Sequence, residues 1–387
     1  MNILPVIAES KDEMLAIFRD LHAHPEIGFT EERTSAVVAE KLREYGVDEV
    51  HTGLGKTGVV ALIHGKNRGN RRVGLRADMD ALPIHEISGV EYTSKNDGVM
   101  HACGHDGHTT MLLGAAKHLA ATRDFDGTAV LVFQPAEEGL GGARQMIADG
   151  LFEQFPCDEI YGMHNWPSGD LGQVGICKGT AMAGAAFIDI KVTGKGSHAA
   201  QPSQGKDALI IAASLATEFQ TILSRNVPPL DTCVLSITQM HAGSAYNVVP
   251  EVATLAGTIR YFKDEIYDLA AGRMQAICDG FALAHGVKIE LELRNVFDVL
   301  INDSDLSDAY MDAAADIVGA ENIIEKSEPA TGSEDFADML KVVPGAYCIV
   351  GHGEAVPLHN PAFKLDPEIL PIGASVMARM VEKRLPL

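Results

Sequence analysis

Apolar residues recur at helical spacing near the start of the chain. Met14, Ile17, Phe18 and Leu21 share one face, and Ser10-Lys11-Asp12-Glu13 ahead of them has capping-box form. A second helix is predicted over 31–45, stopped by Gly46. Short apolar runs then alternate with helical stretches. Strands are expected at 59–63, 73–75, 129–133 and 160–163, with helices over 109–121 and after Gly141. Another strand is expected at 346–350. Such alternation predicts a doubly wound α/β sheet.

Between residues 180 and 294 the pattern changes. Strands are predicted at 187–193, 233–240, 253–262 and 287–293, and helices at 207–223 and 266–284. Strand-helix-strand-strand-helix-strand is the ferredoxin-like plan. The expected architecture is therefore a discontinuous catalytic domain, 1–179 and 295–387, built on a doubly wound mixed sheet, with a ferredoxin-like α+β domain inserted at 180–294. No internal repeat or low-complexity linker is visible.

A length of 387 residues suits about two domains. The 31 basic and 53 acidic residues leave a net charge of −22, which disfavours nucleic acid or an anionic membrane as a partner. Met1-Asn2-Ile3-Leu4-Pro5 lacks a basic stretch followed by a long apolar run, and no segment approaches the roughly 20 apolar residues of a membrane span. A cytoplasmic protein is expected. The six cysteines lack framework spacing, so disulfides are not expected. Five of them, Cys157, Cys177, Cys233, Cys278 and Cys348, are read as buried small hydrophobes.

Cys103 differs because its neighbours are ligand types. His101-Ala102-Cys103-Gly104-His105-Asp106-Gly107-His108 packs one thiol and three imidazoles together, and Glu137-Glu138 leaves an apolar strand further on. Asp78, Asp80, Glu137, Glu138, His164, His352 and His359 all follow predicted strands. Open α/β sheets form their ligand crevice at those strand ends. Taken alone, a Cys near a His is more often structural, and a Glu pair is usually solvated. Their joint placement points to a metal centre, since thiolate and imidazole suit divalent transition metals while one carboxylate ligates and its neighbour moves protons. A second enzyme class would make Cys103 a covalent nucleophile activated by His105, as in cysteine amidases. A non-catalytic small-molecule binding protein is a third reading; it requires a lost catalytic group, whereas Glu137 and every candidate ligand are present.

These segments resemble the M20 metallopeptidase superfamily in its amidohydrolase branch, which holds hippurate hydrolases, N-acyl-amino-acid amidohydrolases, indoleacetyl-amino-acid hydrolases and N-acetyldiaminopimelate deacetylases. The resemblance rests on Leu21-His22-Ala23-His24-Pro25-Glu26, Arg76-Ala77-Asp78-Met79-Asp80, Cys103 and His105, Gln134-Pro135-Ala136-Glu137-Glu138-Gly139 and Gly162-Met163-His164-Asn165-Trp166-Pro167. It continues through Gly196-Ser197-His198-Ala199-Ala200, Asn247-Val248-Val249-Pro250, Gly257-Thr258-Ile259-Arg260, Gly332-Ser333-Glu334-Asp335-Phe336 and His359-Asn360, spanning nearly the whole chain in family order.

The resemblance implies hydrolysis of N-acyl amino acids, hippurate-like or N-acetyl, to a carboxylic acid and a free amino acid. N-acetyldiaminopimelate deacetylation or hydrolysis of an aminoacyl conjugate is the alternative within the branch. By resemblance, Cys103, His105, Glu138, His164 and His359 bind two divalent metals, with Glu137 as general base and Asp80 orienting a ligand. The donor set admits zinc or manganese, and also cobalt or nickel. The inserted domain would act as lid and dimerisation domain of a homodimer or a dimer-based oligomer. His198 would stabilise the oxyanion across the dimer, and Asn247 and Arg260 would hold the substrate carboxylate, a bidentate contact suited to a guanidinium. From the residues alone, Arg260 would end a strand in solvent and His198 would cap a loop. The chain departs from many relatives at Gln201-Pro202-Ser203, where they carry a Pro-His pair. His22, His24, His101, His108 and His352 receive no role.

Overall fold

Asp-Gly-Thr-Ala-Val-Leu-Val-Phe-Gln is apolar or β-branched on both faces, as a strand covered on both sides requires. In the computed structural model, which describes residues 1–354 and 356–387, it forms the buried strand Asp126–Gln134 within an eight-stranded mixed sheet. The chain divides into two units. One comprises Met1–Ala181, Ile301–Pro329 and Asp335–Leu387, and the other Met182–Leu300 with Ala330–Glu334.

In the first unit, four strands run parallel through the middle of the sheet, in the order Asp126–Gln134, Asn67–Asp78, Glu159–Trp166 and Gly345–Gly351. Their register puts Asp78 beside Gln134 and His164 beside Ile349, so the carboxyl ends share one edge. Antiparallel partners flank them: Gly58–His64 pairs with Asp126–Gln134, and Val174–Ile176 with Gly345–Gly351. The helix His105–Thr122 is buried along most of its length. A Cβ on its Gly114 would stand 2.7 Å from Met14 Cε and 3.0 Å from Ala374 Cβ. Glycine thus lets the helices Lys11–Ala23 and Ile369–Arg384 approach closely.

Four antiparallel strands make the second unit's main sheet, in the order Cys233–Ala242, Val252–Tyr261, Gly184–Thr193 and Lys288–Phe297. The helices Ala208–Glu218 and Asp264–His285 complete the ferredoxin-like element order. Strict alternation explains the packing: Ala186, Ile188, Ile190 and Val192 are buried against the helices, whereas Lys191 faces out.

Several local expectations need correction. Ser10 does not cap the helix at Lys11, because Pro5–Glu9 already forms a helical turn and the Ser10 hydroxyl donates back to Val6 O at 2.7 Å. The helix expected from residue 109 begins at His105, since Gly104 adopts a left-handed φ of 89° that turns the chain into it. An edge strand, Glu49–Leu54, escaped the pattern because its residues are half-buried or exposed. All six cysteines are free, but Cys157, Cys177 and Cys233 are only partly buried. Among the described residues no helix is long and apolar enough to cross a membrane.

Candidate metal centre

Cys103 lies in the loop entering the His105–Thr122 helix, Glu137 and Glu138 follow the Asp126–Gln134 strand, and His164 stands near the end of Glu159–Trp166. The parallel register brings these segments to one edge. Among the described residues, Cys103, His105 and His164 form a set whose ligand atoms all lie within 4.8 Å of one another. Cys103, Glu138 and His359 form a second such set, and His105, Glu137 and Glu138 a third. The sets share members, as donors around adjacent ions would.

Each imidazole is held so that one particular nitrogen faces the cluster. His105 Nδ1 lies 3.2 Å from Asp80 Oδ1, which accepts its proton and leaves Nε2 as the lone-pair nitrogen. That Nε2 is buried without a hydrogen-bond partner among the described residues, 4.0 Å from Glu138 Oε1, a buried oxygen whose neighbouring cationic atom is His359 Nε2 at 3.3 Å. His164 Nδ1 donates to Asn165 O at 2.7 Å, so its Nε2, 3.3 Å from Cys103 Sγ, is the nitrogen able to ligate. A buried ring nitrogen left unpartnered beside a carboxylate and a thiol is what a bound cation would satisfy. The donor set therefore fits a divalent metal.

Burial opposes charge on His105, yet Asp78 and Cys103 lift it well above the ordinary imidazole range, so a cation at Nε2 would have to displace a proton there. Burial pushes the Cys103 thiol up, and the Glu138 carboxylate adds to that effect. Burial likewise pulls His164 well below the ordinary imidazole range, with His108 adding to the effect. His359 is lifted to about 10 by hydrogen bonding to Cys103 and then to Glu138, its Nε2 standing 3.3 Å from Glu138 Oε1. A cation would compete with protons at Cys103 and His359.

Asp80 touches two candidate ligands at once, because its Oδ2 also accepts from the Glu138 N–H at 3.0 Å. Two non-glycine residues adopt left-handed backbone here: Ala136, with φ of 56°, just before Glu137, and His359, with φ of 60°, whose N–H donates to Ala102 O at 2.8 Å. Such conformations cost energy and collect at functional sites.

Asp78, His105 and His108 also cluster, but that group is committed internally. His108 Nε2 accepts from the Asn165 N–H at 2.9 Å while Nδ1 pairs with Asp78 Oδ1 at 2.6 Å, and Asp78 Oδ2 accepts from Arg76 at 2.8 Å. Sequence reasoning missed Arg76, a fully buried guanidinium that also bonds Gln134 Oε1 at 2.8 Å and Asp335 Oδ1 at 3.2 Å. It missed Asn165 as well, whose side chain donates to Cys103 O at 2.6 Å and accepts from His352 Nε2 at 3.1 Å. His22 sits between Asp106, at 2.7 Å, and Glu86, at 3.1 Å. His101 is buried with neither nitrogen partnered among the described residues, and His24 bonds Asp20 O at 2.8 Å.

His198, Asn247 and Arg260 lie in the second unit. The exposed His198 pairs with Val248 in a two-residue ladder, and the Ala199 N–H donates to Asn247 O at 3.0 Å, so these two candidates are neighbours. Arg260 lines a cavity of about 370 Å³ with Phe187, Thr258 and Arg294.

Buried thiol, imidazole and carboxylate donors at the strand ends of a mixed α/β sheet, beside a further buried carboxylate, define a metal-dependent hydrolase. Residues 74–383 match the model of Peptidase family M20/M25/M40, and the chain belongs to that family. It is 40% identical over 385 residues to the hippurate hydrolase of Campylobacter jejuni, covering 100% of each chain. It is 38% identical over 374 residues to an N-acetyl-L-cysteine deacetylase of Bacillus subtilis, covering 96% of this chain and 88% of that one. A solved Bacillus subtilis structure, described as a dinuclear metal binding peptidase of the M20 family, superposes with a TM-score of 0.83 at 32% identity, covering 98% of this chain and 99% of that one.

Proposed function

We propose that the protein hydrolyses the amide bond of N-acyl amino acids, with Cys103, His105, Glu138, His164 and His359 holding two divalent metals and Glu137 acting as general base. The similarity to hippurate hydrolase makes N-benzoylglycine the first substrate to try, and N-acetyl amino acids the second. The observation carrying this reading is the buried His105 Nε2, without a hydrogen-bond partner among the described residues and 4.0 Å from Glu138 Oε1, next to Glu137. Bound there, a divalent metal pair polarises the scissile carbonyl and lowers the pKa of the attacking water.

The remaining work falls to side chains. Glu137, buried beside the ligands, takes a proton from the attacking water as its oxygen bonds to the carbonyl carbon. The same carboxyl returns that proton to the amide nitrogen as the C–N bond breaks, releasing an acid and an amino acid. Asp80 holds His105 in the tautomer that presents Nε2. Arg260 and Asn247 take the substrate carboxylate, and His198 of a partner protomer stabilises the oxyanion. The mixed donor set suits zinc or manganese; a cytoplasmic homodimer is the assembly this reading carries, the dimer following from the family resemblance, while the net charge of −22 serves solubility.

Glu137→Gln tests the assignment. The variant should keep two metals per chain by elemental analysis while turnover of N-benzoylglycine and N-acetyl amino acids falls at least about a hundredfold. Near-normal turnover removes Glu137 from the role of base. Chelation separates the metal reading from a Cys103 nucleophile: a strong chelator should abolish activity, and zinc or manganese should restore it.

A further inference from the structure

Glu31 is fully buried, and it forms no ion pair with any described residue. Its Oε1 accepts from the Ala136 N–H at 2.9 Å and its Oε2 from the Thr57 hydroxyl at 2.6 Å. Burial raises this carboxyl to about 7, against the lowering effect of the Thr57 bond. A carboxyl group in an apolar interior is costly, so the fold gains something by keeping one there.

The gain is visible in the backbone it grips. Ala136 carries a φ of 56°, a left-handed conformation that disfavours a Cβ. On the far side of Glu137, the Glu138 N–H is held by Asp80 Oδ2 at 3.0 Å. Two carboxyl groups therefore clamp the peptide on either side of Glu137. The Gly142 N–H bonds Ala136 O at 3.0 Å, and a Cβ on Gly28 would come within 2.8 Å of Ala136 Cα, so the turn has little room to relax.

We propose that Glu31 is a positioning residue for Glu137: by holding the Ala136 N–H it fixes the left-handed turn that aims the Glu137 carboxylate at the attacking water. This rests on Glu137 being the general base. Glu31→Gln retains an acceptor for the Ala136 N–H. Glu31→Ala retains none, and with no acceptor the turn can relax toward ordinary backbone. A displaced base of this kind costs on the order of a hundredfold in rate.

The test is steady-state kinetics on the metal-loaded protein with N-benzoylglycine. Glu31→Ala should lower kcat by about ten- to a hundredfold with KM within about twofold and two metals retained, while Glu31→Gln stays within about threefold of the parent. Adding Ala136→Gly to Glu31→Ala should recover several-fold of the lost kcat, because glycine takes the left-handed turn without the clamp. Leu42→Ala, a core change in the following helix, should lower stability and leave kcat alone. An unchanged kcat in Glu31→Ala overturns the proposal, as does a loss of metal that Ala136→Gly does not repair. Where Glu31→Ala fails to fold, Thr57→Val removes the other hydrogen bond to Glu31 and should reduce kcat several-fold with the same KM; an unchanged kcat there is equally fatal. If Glu137→Gln keeps its turnover, the general-base reading has failed; if only Glu31→Ala does, the base stands and the clamp falls.

Discussion

The two units handle charge in opposite ways. The unit carrying the candidate metal centre buries His22, Glu31, Arg76, Asp78, Asp80 and His105, whereas among the described residues of the inserted unit only Glu334 is a buried charge. The inserted unit's core consists of residues such as Ile188, Val192, Leu215, Phe219 and Met274, packed by plain alternation and helical periodicity. Burying polar groups costs stability unless each is paired, and here the pairings fix particular nitrogens and particular backbone N–H groups. The first unit thus gives up stability for geometry. The second folds on apolar burial and keeps its candidate substrate residues at or near the surface.

A pH titration should expose the contrast most strongly. Burial alone would lower His22, but its hydrogen bonds to Asp106 and Glu86 outweigh that and raise it from 6.5 to about 9. A raised folded-state pKa means the stabilisation is complete below about pH 6.5 and is lost as pH rises through about 9. The shift corresponds to about 3 kcal/mol. Trp166, the chain's single tryptophan, lies in the first unit and reports its unfolding by fluorescence. Denaturant titrations across this range should show the Trp166 transition weakening with pH, and His22→Gln should remove most of that dependence. A Trp166 transition insensitive to pH would mean that the buried charges of the first unit do not hold it as described.

Asp80→Asn sharpens the same comparison at the site. An amide keeps the size but is a weaker acceptor for the His105 proton, so ligand orientation suffers while the fold persists. Loss of such a supporting carboxylate typically costs about 10- to 100-fold in metal affinity or activity. Metal content after dialysis against graded chelator, together with kcat, measures it. Parent-like values on both would leave Asp80 with no more influence than a surface residue.

What was legible in the sequence follows the same divide. Glu137, Glu138 and His164 could be assigned to strand ends because apolar runs mark the strands, and parallel topology gathers such ends, whereas Cys103 and His105 stood out by their ligand-type neighbours in a loop feeding a helix. The inserted unit was readable as βαββαβ because its alternation is regular. The supporting network was not readable. Glu31 meets Ala136 across 105 residues of chain, and Arg76 meets Asp335 across 259. Neither partner announces itself locally, since an acidic residue before a helix and an arginine inside a strand each have common surface explanations. Nor can a motif reveal which imidazole nitrogen faces inward. His108 and His105 stand three residues apart on one helix, yet hydrogen bonds occupy both nitrogens of the former and leave Nε2 of the latter open.

The inserted unit offers the gentlest test, because its candidate residues are not locked. Arg260 is half-buried on the Val252–Tyr261 strand; its Nη1 donates to Thr258 Oγ1 and to Ile259 O at 3.2 Å, and it forms no ion pair with a described residue. Arg294, by contrast, is already engaged with Asp189 at 2.8 Å. A guanidinium has five N–H donors, so Arg260 keeps donors for a substrate carboxylate. A charge-assisted bond of this kind contributes about 1.5–3 kcal/mol, and partial exposure favours the lower end, about tenfold in binding. Arg260→Ala should therefore raise KM for an N-acyl amino acid about tenfold with kcat within about twofold, the pattern of lost uniform binding. The corresponding N-acyl amino amide, which lacks the carboxylate, should be processed equally by parent and variant. A fall in kcat at constant KM would instead mean that Arg260 is fixed in the transition state as rigidly as the first unit's residues, and the contrast between the two units would no longer hold.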